Sequence, residues 1–316
     1  MLSGENLIYT TNSYSPIKNH IGEVKVDLGI ELQKSKRLIS TITKKSKGQL
    51  FSIFAPCWDN FKCDMSHCFY TKRFDEDYSP MWKKLSQITA NDFIGLPINL
   101  KTEVPVLSRY KKELTQFMDD YIFWSFIGDV MGKCKVGKSL IIFPNTYSNK
   151  INLNRFKIDY RVLDKTIKMT YEPLAYILHL FQDAEGNMIL PSFIINMPKK
   201  NLTYLLRDTI KNSEVFNNEY QIFRTYDRQT AYVFAACIAK IYNTIYLINK
   251  NSIPNQRDEW LVTFSKKIKN NAYGIYDKGF LWYKPNKICK NSLAEDLYNI
   301  RNIEGKIFVN GTIITI

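Results

Sequence analysis

Cys57, Cys63, His67 and Cys68 bring three of the chain's six cysteines and one of its three histidines into one short stretch. Thiolate and imidazole are zinc ligands, and four of them complete a tetrahedron. These four residues are therefore the metal site the sequence offers, with zinc as the cofactor, on a loop over residues 57–68. Their spacing is not that of a common zinc finger, and adjacent His67 and Cys68 can face one ion only if the backbone turns. The opposing reading is a loop whose thiols pack as small hydrophobes.

A second pattern, Gly132-Lys-Cys-Lys-Val-Gly137-Lys138-Ser139, satisfies the phosphate-loop motif. A working phosphate loop follows a strand and opens a helix whose amides cradle phosphate. Here the preceding segment has helical periodicity, and residues 140–143 read as a strand that Pro144 ends. The expectation is a turn between helix and strand, with no nucleotide cofactor.

Charge is the third signal. Lys34, Lys36, Arg37, Lys44, Lys45 and Lys47 lie between Glu31 and Asp59 with no acid among them. Lys266, Lys267, Lys269, Lys278, Lys284, Lys287 and Lys290 surround a single acid, Asp277, and Tyr273, Tyr276, Phe280, Trp282 and Tyr283 interleave with them. Lysines that track a phosphate backbone beside rings that stack on bases are the equipment of single-strand binders. The expected contact residues are Lys266, Lys267, Lys269, Lys278, Lys284 and Lys287 with Trp282 and Tyr283. In a hairpin one face must be buried, so at least half of those rings belong to the core.

No catalytic residue stands out. His20, His67 and His179 are far apart, and His179 lies on an apolar helical face that reads as packed. Asp119 and Asp120 point to different sides of their helix, and Asp227 has the spacing of a helix cap.

The elements that must hold these residues are mixed. Strands are expected at 25–32, 49–55, 139–143, 156–162, 188–195, 220–224 and 244–248. Helices are expected from Ser79-Pro80 onward and at 108–130, 173–181, 202–210, 228–242, 257–269 and 293–300. Two hairpins close the chain, one turning at Asp277-Lys278-Gly279 and one at Asn310-Gly311. No internal repeat is visible in the sequence. The fold class is α+β, or α/β with antiparallel C-terminal hairpins, built on a mixed sheet with interspersed helices. A division into 1–150 and 151–316, with a boundary near 145–155, stands beside one continuous domain.

The net charge of +14 favours a polyanionic partner. Only ten of the 44 basic residues are Arg, the side chain that reads bases, so backbone contact is expected and sequence-specific duplex recognition is not. There is no secretory signal and no apolar run long enough to span a bilayer. The expectation is a cytoplasmic protein, of the kind a virus, phage or plasmid carries, that binds DNA or RNA, single strands above all. Two rivals stand beside it: an enzyme centred on a cysteine-ligated metal, and a structural or interaction protein whose lysines reflect AT-rich codons.

Overall fold

The structure is a computed structural model. It describes residues 2–3, 7–9, 14–16, 22–29, 35–75, 79–98, 117, 119–183, 185–216, 219–252, 254, 257–291, 295–301, 306–309 and 312–315. Helices and antiparallel sheets are both present, and every strand pairing among the described residues is antiparallel. The class is α+β. The chain forms two compact units, one from residues 1–103 with 214–316 and one from residues 104–213. Residues 145–155 lie inside the second of these.

In the second unit the Tyr121–Val130 helix packs on one face of a four-stranded sheet whose spatial order is Lys135–Val136, Leu140–Pro144, Thr166–Thr170, Tyr160–Leu163. Asp120 caps this helix by accepting from the Ile122 amide. The Tyr147–Arg155 helix lies between the second and third strands in sequence and is capped by Thr146. Alternation explains the layering. Ile141, Phe143, Ile167 and Met169 are buried, and the Phe143 ring meets Phe126 of the helix edge-on at 5.8 Å. Gly128 allows the Tyr121–Val130 and Lys199–Leu205 helices to touch, because a Cβ there would lie 2.1 Å from the Leu205 carbonyl oxygen.

The first unit contains a seven-stranded sheet, a ten-stranded sheet and its own four-stranded sheet. That last sheet has the order Glu214–Phe216, Tyr220–Thr225, Glu259–Phe264, Tyr246–Asn251. The Arg228–Tyr242 helix separates its second and third strands and is capped by Asp227, as its spacing implied. It covers the inner face through Phe234, which stacks on Phe223 at 4.0 Å and meets Phe264 edge-on at 5.7 Å. Both four-stranded sheets thus share one plan, in which strands one, two, four and three lie side by side and a helix follows strand two. The repeat is one of topology.

Several expected elements differ. Residues 257–269 form no helix but the Glu259–Phe264 strand, in which Trp260, Val262 and Phe264 are buried at period two. The expected helix at 293–300 is the Glu295–Arg301 strand. Ser79-Pro80 leads into the Met81–Lys84 strand, paired with Cys68–Lys72. The apolar run 188–195 becomes one isolated bridge and the Ser192–Asn196 3-10 helix. The start of the expected 108–130 helix falls largely outside the described residues. The hairpin at Asp277-Lys278-Gly279 forms as expected, with positive φ at Lys278 (47°) and Gly279 (83°). The strands Lys306–Val309 and Thr312–Thr315 also pair, while their Asn310-Gly311 turn lies outside the described residues.

The helix contact at Gly128 makes a testable demand. Gly128→Ala should destabilise the chain by about 3 kcal/mol, since a backbone carbonyl cannot rotate away as a side chain can. Denaturant unfolding monitored by circular dichroism measures it.

Candidate nucleic-acid interface

The cysteine segment does not converge on a metal. The Trp58–Cys63 strand runs through the expected loop and separates its ends by about 17 Å. Cys57 and Cys63, at or next to those ends, are both buried, and burial raises both thiols well above their ordinary range. His67 Nδ1 lies 3.0 Å from Asp64 Oδ1, and the Cys68 thiol donates to the Ser66 carbonyl. Among the described residues, no three His, Cys, Asp or Glu side chains are grouped to hold an ion. The zinc expectation gains no support from this geometry.

The phosphate-loop motif is a hairpin. Gly132, at φ 74°, follows the helix, and Lys135–Val136 pairs back on Leu140–Pro144. His179, expected to be packed, is exposed and sits 3.0 Å from the Gly137 carbonyl oxygen.

The basic aromatic segment separates into charge and core. Trp282 is 1% exposed, lies opposite Gly95, and is surrounded by Phe280, Tyr70 and Phe74 at ring distances of 5.1, 5.7 and 6.2 Å. The Tyr283 hydroxyl accepts from the Tyr246 amide and donates to the Tyr246 carbonyl. All four residues of Phe280–Tyr283 are buried, so this strand is covered on both faces and neither ring offers itself to a base. Lys266, Lys267 and Lys269 are exposed on a bend, Lys278 on a hairpin tip, and Lys287 on the strand beside Phe51–Ala55. Lys284 is half-buried. These lysines are spread over separate elements, and Asp277 is paired with Lys72.

A different set of cations is aligned. In the second unit's sheet, Lys135 pairs with Ile142, Ile142 with Lys168, and Lys168 with Arg161. All four occupy one transverse row on the face opposite the helix, and the row spans about 14 Å. Lys135, Lys168 and Arg161 are exposed, as are Thr170 and Leu163 on the same face. The four strands contain no Asp or Glu. The matching sheet of the first unit differs, because its Arg224 is held by Glu214 at 2.8 Å and Glu259 at 3.2 Å. Sequence reading missed the row because its members come from three strands and meet only through register. Exposed polar positions alternating with buried apolar ones at 166–170 were the available signal.

Two acidic constellations also went unseen. Asp129 and Asp208 approach from two helices beside Arg207, and burial together with Asp208 raises the Asp129 carboxyl. In the first unit, fully buried Asp92 accepts from Lys83 at 2.6 Å and Arg73 at 3.1 Å on one oxygen. Its other oxygen accepts from the Thr89 amide and hydroxyl at 2.7 and 2.9 Å. Burial alone would raise this carboxyl, but the bonds from Lys83, Thr89 and Arg73 outweigh it and hold it below its ordinary value.

No protein-family model matches the sequence, and neither does any curated protein. Among solved structures, the chain resembles a DnaB mini-intein variant at 20% identity and TM-score 0.26, over 32% of this chain and 64% of that one, less than two thirds of its length. It resembles the homing endonuclease I-WcaI, solved bound to its DNA recognition sequence, at 13% identity and TM-score 0.32, over 51% of this chain and 83% of that one. The N-terminal LAGLIDADG domain of DUF199/WhiA matches at 13% identity and TM-score 0.27, over 54% and 87%. Scores this low assign neither fold nor activity. Among the described residues, no helix is long and apolar enough to cross a membrane.

Trp282→Ala should cost about 3–5 kcal/mol of stability, because the ring is enclosed by Phe280, Tyr70 and Phe74, as denaturant unfolding will show. The stability Asp92 supplies is full above the ordinary carboxylate range and is lost as pH falls through its lowered value. Asp92→Asn should flatten that acid limb and cost on the order of 3 kcal/mol at neutral pH, read from denaturant titrations across the acidic range.

Proposed function

We propose that this protein binds nucleic acid through the uncovered sheet face of residues 135–170. The single observation that supports this reading is the row of Lys135, Lys168 and Arg161 on exposed positions of four strands that hold no acid. Long cationic side chains standing on a sheet neutralise phosphates and release counterions. Thr170, exposed on the same face, adds a hydroxyl of the kind that bonds phosphate oxygens. The exposed positions of this face carry no aromatic ring, so binding rests on backbone charge rather than base stacking.

Charge reversal tests it. Lys135→Glu, Arg161→Glu and Lys168→Glu together should abolish binding to DNA or RNA in fluorescence anisotropy, with the melting temperature held because all three are exposed. Removing one of these cations at a time should reduce the salt slope of log K for duplex by about 0.9 per phosphate left unneutralised. Measuring single strands and duplex in parallel distinguishes the two forms. Wild-type binding retained by the triple variant would remove this face from the proposal.

A further inference from the structure

The outward face of the second unit's sheet holds more than cations. Leu140, Ile142 and Pro144 alternate outward along one strand, a run of about 14 Å. Lys135 flanks this run on one side, and Lys168 and Arg161 flank it on the other. Pro144 pairs with Thr166 and Thr166 with Leu163, so the apolar run turns across the sheet to Leu163. Leu163 is 52% exposed, Pro144 is exposed, and Leu140 and Ile142 are half-buried. The core does not account for these four, because the inner side of the sheet is filled by Ile141, Phe143, Ile167 and Met169.

Cations place phosphates, and the side chains between them meet whatever the phosphates enclose. The row from Lys135 to Arg161 spans about 14 Å, close to the roughly 12 Å width of the major groove of B-form DNA. Its two ends then reach the two phosphate backbones, and the apolar run faces the base edges. Adenine and cytosine are read in that groove by Asn, Gln, Asp or Glu, and none of these stands on the four strands. The one apolar group that a base edge presents there is the C5-methyl of thymine. RNA lacks that methyl, and its deep, narrow major groove does not admit side chains.

We infer that this face contacts the C5-methyl groups of thymine in duplex DNA, with Leu163 as the principal contact. Leu163 is more open than Leu140 or Ile142 and has the most apolar area to bury on contact. The inference rests on the nucleic-acid reading of the same face and adds a base preference to it.

The test is fluorescence anisotropy of the full chain with two pairs of short duplexes. One pair is an alternating A·T duplex and the same duplex with deoxyuridine for every thymine. The other is a G·C duplex with and without 5-methylcytosine, which sets the same methyl in the same groove. The methylated member of each pair should bind about fourfold tighter, the worth of one buried methyl. Leu163→Ala should bring both ratios close to one without changing the salt slope, because the cations remain. Leu163→Met, which keeps the apolar contact, should retain the preference. A wild-type ratio of one in both pairs, or a ratio that survives Leu163→Ala, overturns the inference. The triple variant at Lys135, Arg161 and Lys168 keeps this failure apart from that of the parent reading. Binding retained by that variant removes the whole face, whereas binding lost there beside a wild-type ratio of one removes the methyl contact alone.

Discussion

A four-stranded antiparallel sheet with a helix on one face must send alternate side chains to opposite fates, and both small sheets of this chain obey that constraint. In the second unit, Ile141, Phe143, Ile167 and Met169 turn inward. The pleat then obliges residues 135, 142, 161 and 168 to turn outward together. Inward apolar packing therefore fixes the outward cationic row, since a one-residue slip would bury Lys168 and expose Met169. The register, rather than the sum of the charges, sets these cations side by side.

The two sheets show how one plan can be used differently. Both place a helix after the second strand and order the strands one, two, four, three. In the first unit the outward Arg224 is neutralised by Glu214 and Glu259 on neighbouring strands. In the second, no strand supplies an acid. The net charge of +14 is a property of the whole chain, and it could not have distinguished these faces. The lysines of 266–287, dense in sequence, are carried apart by a bend, a hairpin tip and a strand of another sheet.

What was legible in the sequence was local. Asp227 as a cap, the positive-φ turn at Lys278-Gly279 and the end of the helix near Val130 depend on a few adjacent residues, and all are present. Misread segments were short apolar runs whose period is ambiguous. Trp260, Leu261 and Phe264 fit a helix as well as Trp260, Val262 and Phe264 fit a strand, and only pairing with Tyr220–Thr225 and Tyr246–Asn251 decides. Trp282 and Tyr283 are expected from the sequence to meet bases, but covering on both faces buries them together with Phe280 and Leu281. The candidate face and the Asp92 ion pairs depend on long-range register, from Lys135 to Arg161 and from Arg73 to Asp92, which no single-sequence period encodes.

Lysine-reactive labelling read by mass spectrometry, with and without bound nucleic acid, tests the central claim most directly. Lys135 and Lys168 should be protected on binding while Lys266, Lys267 and Lys269 label as before. Protection of the 266–269 lysines with Lys135 and Lys168 unchanged would contradict the account.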